Sequence, residues 1–239
     1  MKYAIALVAV IGFAFLSCSQ KQQNTPQAAP VNPASGTTAQ AGAATPSTLT
    51  GTIDYVDGTV TVNGKTAQLG ETIHTNDAIS TGDASIAEIT FSGRNIIQIQ
   101  PNTDATINFT GAERGLQLSS GSAALVLKHL ALQGTSQQFS VYTPTAVGGV
   151  RGTAFFVKVE SIDSTYVCLC NGELWLHDIA GGNTSTLTAA HHKAVRFVRA
   201  GNVIREAPAP LLYHDDAQMQ ALAKKIDYTI DWTKPDVSH

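Results

Sequence analysis

From Gly51 onward, apolar and polar side chains alternate over short stretches. Thr59-Val60-Thr61-Val62, Ile86-Ala87-Glu88-Ile89-Thr90-Phe91, Ile96-Ile97-Gln98-Ile99 and Phe139-Ser140-Val141-Tyr142 all show the pattern. Residues i and i+2 of an extended chain share a face, so each stretch predicts a strand with one face buried. Turn-forming pairs separate them: Asp57-Gly58, Asn63-Gly64, Asn76-Asp77, Gly82-Asp83, Ser92-Gly93, Pro101-Asn102, Ser120-Gly121 and Asn171-Gly172. Short strands at such spacing predict an all-β domain over residues 49–205, a multi-strand sandwich or a solenoid-like coil.

The pattern changes after residue 205. Pro208 and Pro210 are expected to end strand pairing, because proline has no N–H to donate. Asp215 is a suitable N-cap with Gln218 three positions on, and Met219, Leu222, Ala223 and Ile226 recur on one helical face. Lys224 and Lys225 fall in the last turn, where positive charge suits the helix dipole. Residues 206–239 are thus expected to be a C-terminal extension with a short amphipathic helix over 216–228. That helix either completes the core of the β domain or binds a partner.

The N-terminus follows a different logic. Met1-Lys2-Tyr3 precedes an uncharged apolar run from Ala4 to Leu16, too short for the roughly 20 residues a membrane helix needs and typical of an export signal. Leu16-Ser17-Cys18 then resembles the bacterial lipobox, with Phe15 where leucine is common. The resemblance implies a signal peptide over 1–17, cleavage before Cys18, and acylation of that cysteine, which would anchor the chain to a bacterial membrane. Ordinary secretion with an incidental cysteine is the alternative. Residues 18–48 carry Lys21 as their only charge among Gln, Ala, Pro, Thr, Ser, Gly and Asn, and read as a disordered tether. Such a coil would hold the domain on the order of 30 Å from the membrane. Ser19 in place of aspartate after the lipidated residue points to the outer membrane of the cell envelope, facing the periplasm or the surface.

Composition narrows the function. The apolar fraction of 43% is ordinary for a globular domain, and a net charge of −3 leaves no basic stripe for nucleic acid, which is not expected as a partner. Neither H-E-x-x-H nor G-x-S-x-G occurs, and Asp215-Asp216 suits a helix start better than acid–base work, so no catalytic residue is assigned.

The chemistry that stands out is sulfur and imidazole. Cys168 and Cys170 share a strand face, where a disulfide between them would be strained, so they read as free thiols or ligands. His191 and His192 point opposite ways in an extended chain, so one of them could join the thiols. Cys168, Cys170, His191 and His214 are the candidate metal ligands, with zinc the expected ion, Asp215 as a supporting carboxylate for His214, and haem through an axial His or Cys as a further option. The competing reading is two buried thiols and two solvated histidines.

A series of separated motifs carries a family resemblance. Leu69-Gly70-Glu71-Thr72-Ile73, Asn76-Asp77-Ala78-Ile79-Ser80-Thr81-Gly82, Ile97-Gln98-Ile99-Gln100-Pro101-Asn102-Thr103 and Leu116-Gln117-Leu118-Ser119-Ser120-Gly121-Ser122 are followed by Thr143-Pro144-Thr145-Ala146-Val147-Gly148-Gly149-Val150-Arg151-Gly152-Thr153. Over residues 51–198 this succession resembles the FecR domain, named after the ferric-citrate transport regulator. The resemblance implies a periplasmic or surface all-β module built for contact with an envelope protein or cell-wall partner. The founding members place a cytoplasmic sigma-binding segment and a membrane helix first. Here the signal peptide comes first, so sigma-factor signalling by this chain is not expected. The glycines around Arg151 could cradle an anion, but they fit a backbone bend better, with Arg151, Gly152 and Thr153 as an architectural motif. The expected function is a lipid-anchored binding or scaffold protein, with metal or haem binding as the alternative.

Overall fold

The computed structural model describes residues 49–110, 114–128, 130, 139–150 and 152–237. The segments expected to be signal peptide and tether, with Cys18, and also Arg151, lie outside the described residues. Eight short strands come first: β1 (Gly51–Asp57), β2 (Val60–Val62), β3 (Lys65–Thr66), β4 (Thr72–Ile73), β5 (Asp77–Thr81), β6 (Ile86–Phe91), β7 (Asn95–Ile99) and β8 (Asp104–Asn108). The long β9 (Gly115–Leu127) follows, then β10 (Phe139–Tyr142), β11 (Ala146–Val150), β12 (Thr153–Ser161) and the longest strand, β13 (Ser164–Asp178). β14 (Thr184–Ala189), β15 (Lys193–Ala200), β16 (Val203–Ala209) and the helix α1 (Asp216–Lys224) complete the chain. The fold is all-β with one short helix, as the alternation predicts.

The strands form two layers that share β9 and β13. The first half of β9 pairs with β8 and β10, and its second half pairs with β7 and β12. The first half of β13 pairs with β12 and β15, and its second half with β11 and β14. Each long strand therefore passes from one layer to the other, and a glycine marks each crossing. Gly121 has φ +75, and a Cβ there would stand 2.1 Å from the Thr103 hydroxyl. Gly172 has φ +113, and a Cβ there would stand 2.7 Å from Thr153 Oγ1. Both positions read in the sequence as turns between strands. They are bends within continuous strands, where glycine supplies the φ and the close approach that the layer change requires.

Pro208 also departs from expectation, since it lies inside β16. Among the described residues that strand pairs with β15 alone, and the ladder runs unbroken through Val195 and Pro208, so the missing N–H costs no pairing. Between the layers, branched aliphatic and aromatic side chains such as Ile97, Leu125, Phe155, Leu169, Leu176 and Phe197 make one fully buried core. A second apolar cluster lies on the outer face of the layer that contains β7, β9, β12, β13 and β15. It includes Ile96, Val126, Phe156 and Tyr166, and it is covered by Met219, Leu222 and Ile226 of the C-terminal segment. The helix begins where the sequence places it, with the Asp215 carboxylate accepting from the Gln218 N–H at 2.8 Å, and it ends at Lys224 rather than 228.

Candidate metal centre

Alternation along the first half of β13 sets up the site. Val167 and Leu169 point into the interior core, while Tyr166, Cys168 and Cys170 point to the outer face. Their neighbours there include Ala124, Ala154 and Ala194, whose small side chains leave room above the sheet for other groups. Both cysteines are fully buried and neither forms a disulfide.

Two histidines close over them. His192 sits in the tight turn between β14 and β15 at φ +26, and its N–H donates to the Cys170 carbonyl at 3.2 Å. That anchor turns its ring inward, with Nδ1 3.5 Å from Cys168 Sγ. His214 arrives from the segment after β16. The Tyr166 hydroxyl donates to the Pro210 carbonyl at 3.1 Å and accepts from the Leu212 N–H at 3.0 Å, which fixes the path of that segment. Tyr213 then takes φ +69, uncommon for a non-glycine residue, and its hydroxyl donates to Glu160 at 2.7 Å. The result sets His214 Nε2 3.3 Å from Cys170 Sγ, with the ring stacked on Phe156 at a centroid distance of 4.6 Å. Trp232 stacks on His192, with centroids 5.4 Å apart.

The outer nitrogens decide what the inner ones can do. His214 Nδ1 lies 2.9 Å from the Leu212 carbonyl, which only accepts, so Nδ1 carries the hydrogen and Nε2 presents its lone pair to the thiols. His192 Nε2 lies 2.6 Å from the Asp216 carboxylate, so in the neutral imidazole, the form that binds a metal, Nε2 carries the hydrogen and Nδ1 presents its lone pair. Two sulfurs and two imidazole lone pairs thus converge, with all four donor atoms within 4.8 Å of one another. Around a tetrahedral zinc ion, bonds of about 2.3 Å to sulfur and 2.0–2.1 Å to nitrogen place those atoms roughly 3.5 Å apart. The observed S···N separations of 3.5 and 3.3 Å match that edge. A carboxylate and a carbonyl holding the far nitrogens of ligand histidines is the usual support for such sites. A haem fits poorly, because the rings of Phe156 and Trp232 already pack on the two histidines.

Electrostatics favour a thiolate in this cluster. The Cys170 thiol and the two imidazoles hold Cys168 far below the ordinary thiol value, while burial pushes Cys170 up. Burial alone would lower His192, but Cys168 and Asp216 carry it above its usual value. A divalent cation would neutralise two thiolates and leave no net buried charge.

Of the four ligands expected from the sequence, Cys168, Cys170 and His214 come together. His191 does not join them: it is exposed, and its Nε2 lies 2.9 Å from Asp216. His192 takes the fourth place because the turn and its backbone bond to Cys170 aim that ring inward. Asp215, expected to support His214, caps the helix instead, and Asp216 supports His192. In the glycine-rich motif, Thr153 Oγ1 donates to the Glu173 carbonyl at 2.6 Å and Gly152 O accepts from Lys128 Nζ at 3.2 Å, which ties β12 to its surroundings.

The chain is therefore an all-β sandwich with a Cys/His cluster on its outer face, enclosed by a C-terminal segment. Residues 77–174 match the family described as FecR protein. The match includes both cysteines and ends before His192 and His214. Two crystal structures, each of a proposed anti-sigma factor from Parabacteroides distasonis ATCC 8503, at 1.65 and 2.50 Å resolution, are similar at 16% identity and a TM-score of 0.44. The similarity covers 55% of this chain and 59% of theirs. No curated protein matches the sequence.

Proposed function

We propose that this protein is a lipid-anchored component of the bacterial envelope. Its FecR domain serves as a binding scaffold for a protein or cell-wall partner, and it carries one transition-metal ion, zinc by ligand type, between Cys168, Cys170, His192 and His214. The observation that carries the metal reading is the convergence of two sulfurs and two imidazole lone pairs from three separate stretches of chain within 4.8 Å. Two thiolates and two imidazoles suit zinc above harder cations. All four positions are filled by protein and the cluster is enclosed, which suits a structural or regulatory ion rather than a catalytic one with an open position. Among the described residues no helix is long and apolar enough to cross a membrane, and anchoring is assigned to the lipid on Cys18.

Metal analysis by mass spectrometry of the detergent-solubilised full-length protein tests the site. About one equivalent of zinc is expected in the wild type and none in Cys168→Ser/Cys170→Ser. A metal-free wild type, purified under reducing conditions without chelator and then supplied with zinc, would refute the reading. Metabolic labelling with a palmitate analogue tests the anchor: label is expected on the wild type and lost in Cys18→Ser. A labelled Cys18→Ser protein, or an unlabelled wild type, would argue against lipidation there.

A further inference from the structure

The four ligands do not belong to one part of the molecule. Cys168, Cys170 and His192 belong to β13 and the turn before β15, whereas His214 and its neighbour Asp216 belong to the segment that follows β16. That segment then crosses the outer sheet face as a strap and is held at three places. At its start stand His214 and Asp216. In its middle, Met219, Leu222 and Ala223 of α1 are buried on the sheet, and Lys225 pairs with the buried Glu88 at 2.5 Å. At its end, the buried Asn171 donates to the carbonyls of Asp231 and Lys234, each at 2.9 Å, and accepts from the Asp236 N–H at 3.1 Å. Lys128 Nζ pairs with Asp236 there at 3.0 Å.

Among the described residues the strap makes no strand ladder with the domain after β16. Apolar burial and a few side-chain bonds must therefore offset the entropy of ordering its whole length, and the two are of similar size for a segment of this kind. An additional bond at the start of the strap decides the balance. Without metal, that start is held by Asp216, 2.6 Å from His192 Nε2 and 2.9 Å from His191 Nε2 at the exposed rim, while the cysteine sulfurs and the inner imidazole nitrogens stand only at weak hydrogen-bond distance, 3.5 and 3.3 Å. With metal, it becomes a coordinate link between strap and sheet.

Resting on the zinc reading, we propose that the metal is the fastener of this strap. Binding of the ion through His214 locks residues 210–237 onto the outer face of the sheet, and loss of the ion frees them and uncovers the apolar face around Val126, Phe156 and Tyr166. Linkage makes the coupling reciprocal: the factor by which the docked strap tightens the ion is the factor by which the ion suppresses strap opening. Supporting groups around a metal ligand contribute roughly 10–100-fold in affinity, and a ligand itself is expected to reach at least the upper end, so that factor is about 100.

Hydrogen exchange with mass spectrometry on the full-length protein in detergent, zinc-loaded and after chelation, is the test, with metal content measured on the same samples. On chelation, amides of residues 212–226 should lose protection by about 100-fold while those of β10 and β11 keep theirs. His214→Ala should show the exposed strap even in excess zinc. If zinc is bound and its removal leaves strap protection unchanged, the fastener is refuted while the metal site stands. If chelation deprotects β10 and β11 as fully as the strap, the ion is a staple of the whole fold, and the fastener is likewise refuted. If no zinc is bound, the site and the fastener fail together.

Discussion

Phe155 and Phe156 are neighbours on β12, and each is about 1% exposed, yet they serve two differently made cores. Phe155 packs between the layers among Leu125, Leu169 and other branched or aromatic side chains that the strand ladders bring together. Phe156 faces outward among alanines, thiols and imidazoles, and is covered by a segment that no ladder holds. The interior core follows from strand pairing once the layers form. The outer core depends on side chains that reach across from a separate piece of chain, so it is the part whose closure a ligand can control.

The largest expected effect separates the two. Phe155→Ala should cost about 3–5 kcal/mol, the usual range for a buried phenylalanine, with zinc or with chelator. Phe156→Ala should cost a similar amount in the zinc-loaded protein and clearly less after chelation, because the outer core is by then already open. Denaturant unfolding of both variants in both states measures this. Equal costs for Phe156→Ala with and without metal would show that the two cores form one cooperative unit.

Within the outer core, the adjacent histidines provide a sharper contrast. His192→Ala should lower zinc affinity by roughly 100-fold or more, whereas His191→Ala, which bonds Asp216 and packs beside the His192 and Trp232 rings but presents no donor atom to the cluster, should lower it less than about 10-fold. Competition titration against a zinc indicator reads both. Comparable losses would mean that His191 can turn inward to replace its neighbour.

The two aspartates at the helix start divide in the same way. Asp216→Asn removes the carboxylate that holds His192 Nε2, and should weaken zinc binding by about 10–100-fold. Asp215→Ala removes the cap and should cost about 1 kcal/mol of stability while leaving the zinc affinity of the folded protein nearly unchanged. The same titration and a thermal melt measure the pair.

Much of the interior core is legible in the sequence, and much less of the outer one. The alternation in Ile86–Phe91, Ile96–Ile99 and Phe139–Tyr142 marks β6, β7 and β10 directly, because one local pattern determines both the strand and its buried face. Gly121 and Gly172 mislead, since a polar residue followed by glycine gives the same local signal at a hairpin turn and at a bend within a strand. The sulfur pair is legible from its i, i+2 spacing. The choice between His191 and His192 is not, since it depends on a turn with φ +26 and one backbone bond to a residue on another strand. The grip of Asn171 on Asp231, Lys234 and Asp236 spans some sixty residues and leaves no trace in local pattern.

The smallest expected effect concerns the entry of the strap. The Arg196 guanidinium bonds both oxygens of Glu160, each at 2.7 Å, and Ser164 and Tyr213 donate to the same carboxylate. Led by Arg196, these contacts hold the carboxyl down to about 2 against an ordinary glutamate value of about 4.3. A carboxyl depressed in the folded state stabilises the protein above its unfolded value and loses that contribution as pH falls toward its folded one. Glu160 therefore adds stability at neutral pH that disappears between about pH 4.5 and 2. Solvent around the half-buried arginine screens the pair, so the contribution is on the order of 1 kcal/mol. Glu160→Gln should lower the melting temperature slightly at pH 7 and flatten its decline below pH 4.5. The pair belongs to the outer face and not to the interior, so the difference should shrink after chelation, when Tyr213 leaves with the strap. A difference between wild type and Glu160→Gln that is identical with and without zinc would place this ion pair outside the unit that the metal controls.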